Sequence, residues 1–86
     1  MKLYEFVVTL AKGTPHSDDL VEALFDAGCD DGSVWSRGEL VQIGFSREAN
    51  SLEEAIRSAV GDVQRAGAVV AEITMEADAL SALGQA

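Results

Sequence analysis

Hydrophobic and polar positions alternate from the start of the chain. Tyr4, Phe6, Val8 and Leu10 fall on one side and Leu3, Glu5, Val7 and Thr9 on the other, a period of two that predicts a strand buried on one face. Lys12-Gly13-Thr14-Pro15 ends it, because Gly and Pro interrupt strands and the residue before Pro is pushed to extended geometry. Ser17 is placed as an N-cap, and Asp18, Asp19 and Glu22 follow in the first turns, where the helix dipole favours negative charge. A first helix is therefore predicted from about Ser17 to Ala27, with Leu20, Val21, Leu24 and Phe25 as its inward stripe and Gly28 as the left-handed residue that closes it.

After the turn Asp30-Asp31-Gly32, the stretches Ser33–Ser36 and Leu40–Phe45 flank Arg37-Gly38-Glu39, the spacing of a β-hairpin with a short glycine-containing loop. In the second arm Val41, Ile43 and Phe45 point one way, and Leu40, Gln42 and Gly44 the other. Ser51-Leu52-Glu53-Glu54 matches a capping box. Behind it Leu52, Ala55, Ile56, Ala59, Val60 and Val63 step by three and four, the pattern of an amphipathic helix that Gly67 stops. Ala68 to Met75 predicts a last strand, and Asp78 to Leu83 a loose helical turn. The order strand, helix, strand, strand, helix, strand predicts an α+β, ferredoxin-like βαββαβ sandwich: a four-stranded antiparallel sheet with two helices on one face. Right-handed crossovers would put the first and third strands in the centre. The expected domain covers residues 1–76, and 77–86 form a polar C-terminal tail.

Eighty-six residues allow a single core. Six Lys and Arg against fifteen Asp and Glu leave a net charge of −9, which argues against a phosphate backbone or an anionic membrane surface as direct partner. At 48% hydrophobic the chain is too apolar for a disordered acidic tail. The single cysteine cannot form an internal disulfide, Met1–Glu5 is unlike a signal peptide, and no apolar run approaches the ~18 residues of a membrane span, so a cytoplasmic location is expected.

Candidate chemistry is sparse. His16 is the only histidine and reads as a solvated loop residue or a contact at the start of the first helix; a metal or nucleophilic site needs several converging groups. Cys29 reads as a small packing residue whose neighbouring carboxylates raise its pKa. Asp30-Asp31-Gly32 lacks the alternating ligands of a calcium loop, and there is no phosphate-binding glycine loop or nucleophile elbow. No catalytic residue, metal or cofactor is therefore assigned, and a non-enzymatic role is expected.

Two surfaces stand out instead. The sheet face away from the helices should carry Val7, Leu40 and Gln42, and Trp35 joins them if Val34 packs inward. Aromatic and aliphatic residues with few charges nearby are enriched at protein interfaces; the plainer reading is that Trp35 folds over an edge strand and shields it. The central positions Glu5, Val7, Gln42 and Gly44 do not make an RNA platform, which needs aromatics and bases there. The second surface is acidic: Asp18, Asp19, Glu22, Asp26, Asp30 and Asp31 follow one another with no Lys or Arg between them. It is either a solvated helix face or a docking face for a basic partner.

Asp26-Ala27-Gly28-Cys29-Asp30-Asp31, Phe45-Ser46-Arg47-Glu48-Ala49 and Ser51-Leu52-Glu53-Glu54-Ala55-Ile56 with Asp62-Val63 together resemble a family of small, largely uncharacterised bacterial proteins. In that family the domain often precedes a helix-turn-helix segment. The similarity runs from about Tyr4 to Leu80, and its motifs are a helix end, a strand exit and a capping box. The residues after Met75 are too few for the two helices of a DNA reader, so the resemblance implies no DNA contact by these residues: the chain is either a stand-alone form or one that continues past Ala86. The leading expectation is an interaction or regulatory module that self-associates or binds a protein through the uncovered sheet face. The alternative is an acidic, antitoxin-like or sensor component that docks a basic partner through its first helix. A third is an enzyme or small-ligand domain using the concave side of the sheet.

Overall fold

A computed structural model describes residues 2–75; the expected tail and its helical turn lie outside the described residues. The elements are β1 (Lys2–Leu10), α1 (Asp18–Ala27), β2 (Gly32–Arg37), β3 (Leu40–Ala49), α2 (Leu52–Arg65) and β4 (Val70–Met75). The four strands form one antiparallel sheet in the order β2-β3-β1-β4, so β1 and β3 are central.

The period of two in β1 and β3 is realised as a single buried face. Phe6, Val8 and Leu10 meet Val41, Ile43 and Phe45 there, and Phe6 stacks on Phe45 with ring centroids 5.5 Å apart. Leu24 of α1 and Ala55, Ala59 and Val63 of α2 complete the same cluster, so both helices pack on this side. The three α2 residues are small or β-branched and lie on one stripe, which lets the helix sit close to the sheet. In β4 strict alternation would turn either Val70 or Ile73 outward. A register shift opposite Thr9 and Leu10 leaves Ala71 unpaired and points Val70, Ile73 and Met75 all inward.

Helix ends follow the local chemistry. Ser17 accepts a hydrogen bond from the Leu20 amide and Ser51 one from the Glu54 amide, each relieving an amide that has no partner within the helix. Of the capping box at Ser51, the described hydrogen bonds contain the serine half. Both helices close in the same way: Cys29 N–H reaches Leu24 O and Gly28 N–H reaches Phe25 O, while Ala68 N–H reaches Val63 O and Gly67 N–H reaches Gln64 O.

Element boundaries and the placement of Phe25 differ in part from the sequence expectation. Arg37 pairs with Leu40, so the hairpin loop is the two residues Gly38-Glu39; the positive φ of Gly38, followed by a residue of ordinary φ, is the pattern of a type II′ turn whose twist suits the strands. β4 starts at Val70, after a buried Ala68 and an exposed Val69. Phe25 is 50% exposed and is not part of the inward stripe. At about 100° per residue it lies ~140° around the helix from Leu20, and Leu20 and Leu24 set the buried direction.

Candidate functional site

The uncovered sheet face takes its shape from strand register. Trp35 pairs with Gln42 and Gln42 with Thr9, so the three form one row across β2, β3 and β1, with Glu72 of β4 at its end. The Trp35 indole N–H donates to Gln42 Oε1 at 2.9 Å, and Gln42 Nε2 donates to Thr9 Oγ1 at 3.0 Å. Trp35 therefore leans toward the sheet centre instead of folding over the edge of β2. Its polar atom is already satisfied within the protein, which leaves its ring as the contact surface. Thr9 is 4% exposed although it points away from both helices.

The next row is Ser33, Gly44, Val7 and Thr74, and it carries no charge. Gly44 contributes no side chain, so the sheet surface dips beside Val7. Charges lie toward the ends: Arg37 with Leu40 near the hairpin, and Glu5 with Ser46, then Glu48 with Leu3, at the far end. Val7, Trp35, Leu40 and Gln42 thus share one face, each partly buried. A neutral centre within a charged rim is the ordinary anatomy of a protein interface. Thr9, which fixes Gln42, was not singled out from the sequence; it is 33 residues away from Gln42 in the chain, and only register brings the two together.

The acidic stretch divides in two. Asp18, Asp19, Glu22, Asp26 and Asp30 are exposed, and the exposed Phe25 sits among them on α1. Asp31 is withdrawn from this set. Its carboxylate accepts from Arg47 Nε at 2.7 Å and from Arg47 Nη2 at 2.9 Å, a two-pronged pair.

Arg47 is the centre of a half-buried ionic clasp. Besides Asp31, its guanidinium donates to Gly28 O at 3.0 Å and to Ser58 Oγ at 3.1 Å, lies 3.0 Å from Asp62 Oδ2, and covers the Phe45 ring at 5.1 Å. Asp62 also pairs with Arg65, which donates to Ala27 O. The Arg47 side chain is 11% exposed and that of Asp62 14%. The clasp joins the end of α1, the approach to β2, the end of β3 and the middle of α2. Three stretches of the chain, Asp26–Asp31, Phe45–Ala49 and Ser51–Val63, meet here, in Gly28 and Asp31, in Arg47, and in Asp62. Nothing in this arrangement offers a reacting group: the donors and acceptors are spent on one another.

Gly28 is doubly constrained, by a φ of 114° and because a Cβ there would lie 2.9 Å from Asp62 Oδ2. Gly28→Ala is expected to lower stability by about 1–3 kcal/mol, read as a lower melting temperature.

Cys29 is buried beside this clasp. Burial raises its thiol pKa above the ordinary value; Arg47 pulls the other way, and Asp31 and Asp30 add to the rise. The folded pKa therefore exceeds that of the unfolded chain. Stability from this group is complete below the ordinary thiol range and declines above it, where the unfolded thiol ionises first. A thiol-specific reagent at neutral pH should react with the denatured chain at once and with the native protein only as fast as it opens; equal rates would contradict this.

His16 Nδ1 hydrogen-bonds the hydroxyl of Ser36 on β2, an exposed contact that ties the loop before α1 to the sheet edge. A shallow cleft of about 410 Å³ opens between Ala11–Pro15, Leu20 and Ala66–Val69; its one charged side chain is Lys12, which pairs at 3.8 Å with Glu39. Among the described residues there is no group of three or more His, Cys, Asp or Glu side chains placed to hold a metal, and no helix is long and apolar enough to cross a membrane. No family model matches the chain, and neither does any curated protein or solved structure.

Proposed function

We propose that this is a non-enzymatic protein-interaction or regulatory module, a ferredoxin-like sandwich that works through its uncovered sheet face, either with itself or with a protein partner. The element order and the central placement of β1 and β3 support the fold. The observation that carries the function is the two adjacent rows around Trp35 and Gly44, uncharged except for Glu72 at the edge, in which the indole is held in place through Gln42 and Thr9. A preorganised aromatic gives contact area without loss of side-chain freedom on binding. Family resemblance adds the expectation of a regulatory role beside a DNA-binding segment, with no nucleic-acid contact by these residues.

A second reading is favoured by one observation of its own. Phe25 is exposed on α1 among Asp18, Glu22 and Asp26, an apolar contact set in negative charge that suits a basic partner. Photo-crosslinking separates the two. A photoreactive phenylalanine analogue replacing Ser33 reports on the sheet face, and one replacing Glu22 reports on α1. The sheet-face reading expects protein adducts from position 33 that persist at high salt. Adducts from position 22 alone, lost as salt rises, would move the function to α1, and adducts from neither would overturn both.

A further inference from the structure

We propose that the outer edge of β4 pairs with β4 of a second copy of this chain, so that two four-stranded sheets join into one. This goes beyond the sheet-face reading and does not rest on it, since the edge of the sheet makes the contact and the face stays open.

β1 takes one side of β4, and among the described residues nothing pairs with the other. The unpaired amide and carbonyl groups of an edge are a template for a further strand, and proteins guard such edges with Lys, Pro or charges turned inward. Val69–Met75 has none of these, and Glu72 is its one charge. The opposite edge, β2, ends in Arg37 and is tied at Ser36 to His16. The layer above the β4 edge is apolar as well. Val70, Ile73 and Met75 point to the helix side yet stay only half-buried, as side chains with no strand beyond them. α2 packs on β4 with one flank and on α1 with the other, the flank from which Ser58 and Asp62 reach Arg47. Val60, ~160° around the helix from Ser58, is half-buried on the β4 flank.

Register selects a second copy. Glu72 and Thr74 point to the uncovered face, and Ile73 and Met75 to the helices. A two-fold axis perpendicular to the sheet, beside Ile73, makes the pairing antiparallel and keeps like faces on the same side. Ile73 then meets its own equivalent, Glu72 of each copy meets Thr74 of the other, and Met75 meets Ala71. A shift of two residues is the least that keeps the faces matched. In one direction it sets Glu72 against Glu72; in the other it leaves only Ile73, Thr74 and Met75 paired among the described residues. In the two-fold register no like charges meet, so two chains of charge −9 can approach here. At α1 they would oppose Asp18, Glu22 and Asp26. The β4 edge is thus self-complementary in the sense an isologous dimer requires, whereas β4 against β2 would run head to tail and leave an edge open at each end. Pairing confined to Ala71–Met75 and the α2 flank is smaller than the roughly 1,200 Å² of a standard interface, so the dimer is reversible and concentration-dependent. The joined sheet presents both Trp35 rows on one side.

Sedimentation equilibrium on the full chain tests this. Glu72 and Thr74 are exposed, so substitutions there spare the core. T74E sets a carboxylate opposite Glu72 twice per dimer and should weaken association roughly fivefold; T74K should strengthen it by a similar factor. The double variant E72K/T74E should restore the wild-type affinity, since each new carboxylate then faces a new ammonium. A dimer that T74E leaves unchanged, or that the double variant does not restore, overturns the β4 pairing. So does a chain that stays monomeric at millimolar concentration, and so does a mass that grows beyond the dimer, the result of head-to-tail pairing. Position 33 lies on β2, at the opposite edge, so its crosslinks decide the sheet-face reading separately.

Discussion

Arg47→Leu is expected to destabilise the domain by roughly 3–5 kcal/mol, the range for removing one member of a buried ionic network. The loss comes less from the contacts themselves than from what is left behind. Asp31 and the carbonyl of Gly28 lose their charged donor, and Asp62 keeps only Arg65, whose side chain is mostly exposed. For a chain of 86 residues the whole stability is roughly 4–13 kcal/mol, so the variant should be partly unfolded at moderate urea concentration where the wild type is native. Arg47→Lys should recover less than half of the loss, because an ammonium cannot hold Asp31 with two prongs while also reaching Ser58 and Asp62. Urea unfolding followed by circular dichroism reads both. In Asp31→Asn combined with Arg47→Leu, the two losses should add to less than their sum, as expected for partners in one network. A loss below about 1 kcal/mol for Arg47→Leu would mean that solvent screens the clasp as it does a surface pair.

Phe45→Ala is expected to have an effect of similar size, about 3–5 kcal/mol, through a different cause. Phe45 has no exposed surface, stacks on Phe6, and lies beneath the Arg47 guanidinium. Truncation opens a void between the sheet and the helices and removes the ring on which Arg47 rests, so packing and clasp are weakened together. Phe45→Leu keeps most of the volume and should lose under about 1.5 kcal/mol. Thermal unfolding compares them, and binding of a dye selective for exposed apolar surface should rise for the alanine variant. Equal melting temperatures for the two variants would show that the core closes around the void.

Both effects concern the scaffold that holds the sheet face. The clasp fixes where β2 leaves α1, and β2 carries Trp35 and Arg37. Weakening it should loosen the row Trp35, Gln42 and Thr9 before the central strands separate, because β2 is an edge strand with a pairing strand on one side only, β3.

Much of this molecule follows from short-range patterns. Alternation along β1 and β3 was enough to separate the buried from the uncovered face, since side chains on a strand leave on alternate sides whatever the strand later packs against. Ser17, Gly28, Ser51 and Gly67 marked helix limits because capping chemistry acts within a few residues. The placement of Val7, Trp35, Leu40 and Gln42 on a common face followed from the same parity. What the tertiary structure alone decided lies between residues far apart in the chain. Asp31 looked like one more acid on a docking face until Arg47, sixteen positions later, was folded against it. Phe25 counted as core by apolar character, but the direction in which α1 faces the sheet left it outside. Thr9 became the end of a hydrogen-bonded row only through the register of β1 on β3. Period and capping are properties of neighbouring residues and can be read along the chain; ion pairs, register and helix orientation depend on which distant surfaces meet, and for this protein those meetings define both the clasp and the sheet face.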